Sequence, residues 1–210
     1  MKLGKFITVE GSEGVGKSTN INHILMRLQQ QEIDVVQTRE PGGTPLGEEV
    51  RELLLDHRHT GMSQDAELML MFAARAEHIA QVIRPALEAG QWVLCDRFTD
   101  ASHAYQGAGR GIDSGRISIL EQWVQQGLEP DFTLLLDIEP EVGLERAGKR
   151  GALDRFEKEE MSFFHNVREG YLARASAFPE RFHIVDAGQP LEQVQQGIDA
   201  ELAPFIQQYV

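Results

Sequence analysis

Short apolar runs alternate along this chain with longer segments in which apolar residues recur three or four positions apart. The first pattern predicts β-strands and the second predicts amphipathic helices. The predicted strands are a run starting at Phe6, then Asp34–Thr38, Trp92–Cys95, Phe132–Leu136 and Phe182–Val185. Most of these runs are continuous instead of alternating with polar positions, which is typical of parallel strands covered on both faces. The pattern therefore predicts an α/β fold, a five-stranded parallel sheet with helices on both faces.

Helical spacing predicts helices between these strands. The longest runs from about Gln64 to Ala89 and contains Pro85, which has no backbone N–H to donate, so a kink or break is expected there. Another is predicted from about Phe156 to Phe178. Since no repeat or linker-like stretch interrupts the pattern, the 210 residues are expected to form one domain.

A glycine-rich loop lies between the first strand and the first helix. Gly11, Gly16, Lys17 and Ser18 fit the pattern G-x-x-x-x-G-K-[ST] of phosphate-binding loops. Such a loop and the helix N-terminus behind it point backbone N–H groups at an anion. The lysine adds a full positive charge, and the serine hydroxyl suits a magnesium ion. The motif predicts binding of a nucleotide phosphate chain.

The carboxyl ends of the strands carry the other candidate residues, because ligands of such sheets bind there. This rule collects Glu10, Arg39–Gly43, Asp96, Arg97 and Asp137–Pro140. Asp96 is a candidate magnesium residue, acting in part through water. Arg97 is suited to clamp a second phosphate group. The alternatives are a strand-capping salt bridge for this pair, and Asp137 as the magnesium residue.

A basic, glycine-interrupted segment follows the fourth strand. Its basic residues are Arg146, Lys149, Arg150 and Arg155. The segment at about 146–156 is expected to form a mobile lid that brings arginines to a transferring phosphoryl group. A solvated charge run is the alternative.

Aromatic and basic side chains share a face of the longest predicted helix. Phe72 lies three positions and Met71 four positions before Arg75. An aromatic ring beside an arginine can stack on a base and read its edge. Spacing alone favours the other interpretation, with Phe72 in the core and Arg75 extending its charge to solvent.

Composition narrows the classes of partner. The formal charge of −13 argues against nucleic-acid binding and against a polybasic membrane anchor. One cysteine excludes an intrachain disulfide, and no histidine spacing suggests a zinc site. Without a long apolar segment, a cytoplasmic protein is expected.

These features together indicate a small phosphoryl-transfer enzyme. The guanine-reading motif N-K-x-D of GTPase switches is absent from the sequence. A nucleoside monophosphate kinase or a close relative fits best. A kinase for another small substrate and a non-catalytic ATP-dependent switch protein remain alternatives.

Five blocks in order make a more specific resemblance: FITVEGSEGVGKST, TREPGGTPLGE, LMFAARAEHI, VLCDRFTDASHAYQGAGR and LDRFEKE. Together they resemble the bacterial thymidylate kinases. The resemblance implies a P-loop nucleoside monophosphate kinase fold, transfer of a phosphoryl group from ATP to dTMP with Mg²⁺, and a homodimer.

The resemblance also implies roles on the phosphate side of the site. Arg97 and Arg39 would hold the dTMP phosphate, and Ser18 and Asp96 would serve magnesium. The ATP phosphates would lie on Gly11, Ser12, Glu13, Gly14, Val15, Gly16, Lys17, Ser18 and Thr19. The catalytic charges would come from Lys17, Arg97, Arg155, Arg150 and Arg146, with Lys149 also in the lid.

On the nucleoside side, the resemblance implies contacts with both sugar and base. Glu13 would lie near the 3′-hydroxyl with help from Glu157, and Tyr105 would crowd the 2′ position. The thymine would meet Phe72, Arg75, Ser102 and Gln106, with Met71 as the other candidate for the stacking position.

Family members differ in where they carry one basic charge. Some have it inside the phosphate loop, and others have glycine there and a basic lid. Gly14 and the basic segment make this chain similar to the second version. Phe98 replaces a tyrosine that often follows the Asp-Arg pair, so any role of that hydroxyl is absent here.

Overall fold

The fold is built on a five-stranded, fully parallel sheet in a computed structural model that describes residues 3–149 and 155–209. The strands are β1 (Phe6–Glu10), β2 (Val35–Arg39), β3 (Trp92–Asp96), β4 (Phe132–Asp137) and β5 (Phe182–Asp186), and their order in the sheet is β2-β3-β1-β4-β5. The strand order reverses at β1, and the phosphate loop leaves this central strand. The predicted sheet is confirmed, and β2 to β5 each end one residue beyond the predicted end.

Helices cover the sheet on both faces. They are α1 (Lys17–Gln30), α2 (Pro45–Leu55), α3 (Gln64–His78), α4 (Arg84–Glu88), α5 (Thr99–Ser102), α6 (Ser114–Gln125), α7 (Pro140–Gly148), α8 (Met161–Ala177) and α9 (Leu191–Gln207). A π-helical turn, Ile79–Ile83, joins α3 to α4, and a second one, His103–Gly109, extends α5.

Successive residues of each strand pack against opposite helical layers. In β3, Trp92 and Leu94 join the core beneath α1 and α9, whereas Val93 and Cys95 join the core beneath Ile79 and Ile83. This alternation follows from the two-residue period of a strand. It explains the continuous apolar runs of the three central strands, β3, β1 and β4, whose residues are almost all buried.

Two helices differ from their predictions. The helical run around Pro85 does not break, but it does not continue as a plain α-helix either. A π-helical turn precedes the proline and accommodates the N–H group that proline lacks. The helix expected from about Phe156 begins only at Met161. Arg155 and Phe156 are instead buried in the turn before it.

Candidate active site

The phosphate loop is a backbone cradle at the carboxyl end of β1. Gly11, Gly14 and Gly16 all have positive φ, of 137°, 71° and 84°, which favours glycine over every other residue. The side chain of Lys17 lies across the loop, where Nζ donates to the carbonyl oxygens of Gly11 at 3.0 Å and Ser12 at 3.1 Å. Gly16 precedes α1 without a side-chain cap, so the helix N-terminus keeps N–H groups for an anion.

Gly14 has a packing reason as well as a conformational one. A Cβ atom at this position would lie 1.8 Å from the carbonyl oxygen of Gly143, in the α7 helix. A side chain of any kind would therefore push the loop away from α7. The close approach leaves no room for a side chain of any kind, basic or not, at position 14.

A polar cavity opens in front of the loop. The loop residues from Glu13 to Thr19 line one side, and the other side is lined by Arg39, Glu40, Arg51, Asp96, Arg97, Arg146 and Glu157. Strand register explains part of this set, because Arg39 in β2 lies beside Asp96 in β3. Four arginines in one cavity of a strongly acidic chain define an anion site, which we call the phosphate cavity.

Lys17 is held in the phosphate cavity at a reduced pKa. Burial and the charge of Arg97 together lower the pKa of Lys17 to about 8, although the charges of Asp96, Glu13 and Glu10 oppose the shift. A bound phosphate chain would restore the favourable environment of an ammonium group. The lysine is thus poised for an anion that the protein alone does not supply.

Arg97, Glu13 and Tyr105 form a cluster at the far wall of the phosphate cavity. Arg97 Nη2 donates to Glu13 Oε1 at 3.0 Å and contacts the Tyr105 hydroxyl at 2.6 Å, and that hydroxyl donates to the same Glu13 oxygen. Burial alone would raise the pKa of Glu13, but the charges of Arg97 and Lys17 outweigh it and lower the pKa. Glu13 is therefore an ionised carboxylate, and its buried Oε2 has no partner among the described residues.

Arg97 also has a strained backbone, with a positive φ of 67° that is rare for a residue with a side chain. Such strain is found where the surrounding structure holds a residue for a functional reason. Here it turns the guanidinium back toward Glu13.

A second pocket adjoins the phosphate cavity. Both spaces share Glu13, Glu40, Arg51 and Arg97, and the second one continues between α3 and α5. Its other lining residues are Pro41, Leu55, Met71, Arg75, Phe98, Ala101, Ser102, Tyr105, Gln106 and Phe156. We call it the base pocket. One continuous site therefore joins an anion cavity to a second pocket lined by both apolar and polar side chains.

Arg75 is fixed at the end of the base pocket by a buried network. Its Nε donates to Glu40 Oε2 at 2.7 Å, and its Nη2 donates to the Ser102 hydroxyl at 3.1 Å and to the Phe98 carbonyl. His78 pairs with the other Glu40 oxygen. The remaining Arg75 nitrogen, Nη1, is buried without a partner among the described residues, so it is a donor available to a ligand.

Phe72 lies outside both spaces, which corrects its assignment to the stacking position. It is 2% exposed and packs with Leu68, Ile112 and Ile117, behind Arg75. Met71 lines the base pocket instead. Neighbouring residues of an α-helix point about 100° apart, so a shift of one position decides which side chain reaches the pocket.

Arg155 also lies elsewhere than expected. It is 7% exposed, its Nη2 pairs with Glu67 Oε2 at 2.7 Å, and its Nε donates to the Leu54 carbonyl. It does not line the phosphate cavity, so its role as a catalytic lid residue stays a prediction. Among the other lid residues, Lys149 pairs with Glu145 on the surface, and Arg150 lies outside the described residues.

The structure distinguishes the two acidic residues at strand ends, Asp137 and Asp96, that are candidates for binding magnesium. Asp137 is occupied by a bidentate contact with Arg168, at 2.8 and 2.9 Å. Asp96 lines the phosphate cavity, and its Oδ1 is buried without a partner among the described residues. Ser18 lies in the same cavity. These oxygens fit a partly hydrated Mg²⁺, whereas residues 3–149 and 155–209 hold no group of three metal-ligating side chains.

Two site residues had no role predicted from the sequence, although Glu40 lay within the strand-end range Arg39–Gly43. Arg51 projects from α2 to both spaces, where its Nη1 donates to the Pro41 carbonyl at 3.0 Å. Glu40 is the buried acid that orients Arg75. The signal for Glu40 was its place directly after β2, at a strand end; Arg51 has no motif of its own.

The parallel sheet, the phosphate loop on its central strand and the adjoining base pocket define the class of three-layer P-loop nucleoside monophosphate kinases. A family model described as thymidylate kinase matches residues 9–198. The chain belongs to the thymidylate kinase family.

Relatives agree over nearly the whole chain. The thymidylate kinase of Pseudomonas putida is 58% identical over 204 residues, covering 97% of both chains, and that of Teredinibacter turnerae is 59% identical over 203 residues, covering 97% of this chain and 99% of its own. The crystal structure of thymidylate kinase from Ehrlichia chaffeensis superposes with a TM-score of 0.77 at 33% identity, covering 95% of this chain and 98% of that one. Among the described residues, no helix has the length and apolar content needed to cross a bilayer.

Proposed function

We propose that this chain transfers the γ-phosphoryl group of ATP to dTMP, giving ADP and dTDP. The observation that carries the proposal is the continuity of the two spaces, which share Glu13, Glu40, Arg51 and Arg97. A nucleoside monophosphate in the base pocket would place its phosphate among these arginines. That phosphate would then face the end of the ATP chain on the phosphate loop.

The reaction needs no general base. The attacking atom is an oxygen of the dTMP phosphate, which is already ionised near neutral pH. Catalysis then consists of alignment and of neutralising charge on the transferring group. Arg97, Arg39 and Arg51 hold the acceptor, and Lys17 approaches the outer ATP phosphates.

Magnesium belongs to the proposal as the partner of the ATP phosphates. Asp96 and Ser18 would hold it, in part through water, and the ion would neutralise phosphate charge when bound. The unpartnered Asp96 Oδ1 supports this assignment.

The base pocket offers a hydrogen-bonding pattern that suits thymine. Arg75 Nη1 is a donor for the C4 carbonyl, and Gln106 can offer an acceptor to the N3–H group. Cytosine presents the opposite pattern, a bare N3 and an amino group. Met71 would pack on the face of the base, taking the role first assigned to Phe72.

The sugar would meet Glu13 and Tyr105. The free Oε2 of Glu13 is an acceptor for the 3′-hydroxyl. Tyr105 is 4% exposed and its hydroxyl is fixed by Glu13 and Arg97, so it leaves no room to adapt to a 2′-hydroxyl. These contacts support a preference for deoxyribonucleotides.

We retain a lid at about 146–156 as part of the proposal. Arg146 lines the phosphate cavity, and its guanidinium donates to the carbonyl oxygens of Ala187 and Gly188. Arg155 anchors the other end of the segment through Glu67.

A location in the cytoplasm stays a prediction of the sequence.

The low pKa of Lys17 gives a pH dependence. Lys17 is charged below about pH 8 and neutral above it, so kcat/KM for ATP should fall as pH rises past 8, approaching about tenfold per pH unit. Steady-state kinetics from pH 6 to 9.5 measure this profile.

The control for the pH profile is Lys17→Arg, whose guanidinium stays charged throughout the range. This variant should lose the alkaline fall even if its activity is lower. Glu10, whose pKa burial also raises to about 8, is unchanged in it. A fall that persists in Lys17→Arg would assign the titration to another group.

The substrate assignment is tested by ADP release with ATP, Mg²⁺ and one of dTMP, dUMP, UMP, dCMP, AMP or GMP. A clear preference for dTMP is expected. Preference for another monophosphate would move the proposal to another small-molecule kinase. ADP release that no monophosphate stimulates would support the ATP-dependent switch.

We also propose a homodimer, with a second copy covering the exposed face of α3 and α6. Met69, Ile119 and Trp123 on this face are 54%, 66% and 72% exposed, and they line two adjoining grooves between the two helices. Contiguous apolar surface of this kind marks an interface. The homodimer implied by the family resemblance supplies the occupant.

Trp123→Arg should therefore convert a dimer into a monomer in sedimentation equilibrium. Met26→Arg is the matched control, because Met26 is 54% exposed on α1, away from this face. A wild-type protein that sediments as a monomer would refute the dimer. A variant that stays dimeric would place the interface elsewhere.

A further inference from the structure

Glu67 is a buried carboxylate to which the proposed reaction and the proposed substrate contacts assign no role. It lies in α3, is 1% exposed, and its two oxygens receive N–H groups from three side chains. Oε1 accepts from Gln106 Nε2 at 3.0 Å and from Arg110 Nε at 3.3 Å. Oε2 accepts from Arg155 Nη2 at 2.7 Å and from Arg110 Nη2 at 3.3 Å. The carboxylate is thus saturated by donors from the π-helical turn and from the end of the basic segment.

The contact with Gln106 has a consequence for the base pocket. An ionised carboxylate only accepts hydrogen bonds, so the carboxamide must turn its NH₂ group toward Glu67. Its carbonyl oxygen, Oε1, is then directed away from Glu67. Gln106 lines the base pocket. Oε1 is therefore the polar atom that Gln106 can offer to a base.

We propose that Glu67 is a positioning residue that fixes the orientation of Gln106 and so makes the base pocket selective for a base with an N3–H group. The proposal rests on the function proposed above, and it assigns the selectivity to a side chain that never touches the substrate. Without this constraint, a glutamine amide can present either its donor or its acceptor.

The contact with Arg155 determines what an isosteric change would do. In Glu67→Gln, only one side-chain atom can accept. An arginine can only donate. The Arg155 contact, at 2.7 Å, is also shorter than the Gln106 contact, at 3.0 Å, so the new carbonyl oxygen should face Arg155. The new NH₂ group then faces Gln106. Gln106 must flip its amide to accept this bond, and it turns its own NH₂ group toward the base pocket.

The test compares dTMP with 5-methyl-dCMP, which differ only at positions 3 and 4 of the base. Wild type should prefer dTMP. In Glu67→Gln the ratio of the two kcat/KM values should fall about 10- to 100-fold, the effect of setting a donor against N3–H. This ratio is insensitive to a loss of folded protein, because a smaller active fraction lowers both values equally.

Glu159→Gln is the matched control. Glu159 pairs with Arg110 Nη1 at 2.7 Å in the same network but does not contact Gln106. The Glu159→Gln variant loses one negative charge, as Glu67→Gln does, but keeps the Glu67–Gln106 contact. Its ratio of kcat/KM for dTMP to kcat/KM for 5-methyl-dCMP should therefore equal that of wild type. An equal fall in both variants would mean that charge, and not amide orientation, sets the selectivity. That result would overturn the proposal.

A second variant keeps the proposal testable if Glu67→Gln does not fold. Gln106→Met removes the amide and leaves Glu67 in place. It should lower kcat/KM for dTMP and leave that for 5-methyl-dCMP unchanged or higher, because only N3–H loses a partner. A greater loss for 5-methyl-dCMP would show that Gln106 presents its donor to the base, and would refute the inference.

The two proposals fail in different ways. If wild type does not phosphorylate dTMP, the proposed function is wrong. If wild type prefers dTMP and a folded Glu67→Gln variant keeps the same selectivity ratio, only the role of Glu67 is wrong.

Discussion

Lys17→Met is expected to lower kcat about a thousandfold with little change in the free energy of unfolding. In a P-loop the lysine neutralises charge on the phosphates during transfer, and removing one such group costs about 10²- to 10³-fold in kcat. The fold should tolerate the change because, among the described residues, Nζ hydrogen-bonds to two loop carbonyls at the edge of a polar cavity. Burial already disfavours its charge, as the lowered pKa indicates.

The control for this variant is Lys5→Met. Lys5 precedes the other end of β1 and pairs with Asp131 at 2.8 Å, so the same substitution there should leave kcat unchanged. Thermal unfolding and steady-state kinetics of both variants provide the comparison. A folded Lys17→Met protein with near wild-type kcat would exclude Lys17 from catalysis.

The second large effect is expected for Arg97→Met, which should lower kcat/KM for dTMP about 10²- to 10³-fold. Arg97 faces both the phosphate cavity and the base pocket, and its guanidinium suits bidentate contact with a phosphate. Its partner Glu13 would also lose the nearest charge that keeps its pKa low. The variant should therefore bind both the phosphate and the sugar of dTMP more weakly.

The kinetics of Arg97→Met should show which ligand it serves. Its KM for dTMP should rise more than its KM for ATP, while kcat also falls. Arg27→Met is the control, because Arg27 lies on α1, pairs with Asp199 of α9 and lines neither space of the site. If only the KM for ATP changed, Arg97 would belong to the donor side.

The sheet and the phosphate loop could be predicted because their signals are local. A strand covered on both faces must be apolar throughout, and β3 and β4 show this directly in the sequence. The glycines of the loop are required by backbone conformation, so the motif identifies them without knowledge of the surroundings. The strand-end rule then brought Arg39, Asp96 and Arg97 to one cavity.

The residues that sequence reasoning misplaced depend on tertiary packing. Met71 and Phe72 are both apolar, and only the rotation of α3 against the pocket decides between them. Arg155 belongs to a basic cluster in the sequence, but its partner Glu67 lies 88 positions away. No local pattern reveals that a lysine- and arginine-rich segment ends in a buried ion pair. Phe156, which follows Arg155, was predicted to begin a helix for the same reason. In the structure it lies before that helix and lines the base pocket.

The central claim is that the phosphate cavity and the base pocket hold donor and acceptor for direct phosphoryl transfer. Incubation of the protein with ATP labelled at the γ-phosphorus, Mg²⁺ and dTMP, followed by separation of the nucleotides, measures where the label goes. The label should appear in the β-phosphate of dTDP, in an amount equal to the ADP formed. Label released as inorganic phosphate, with dTMP unchanged, would contradict the claim.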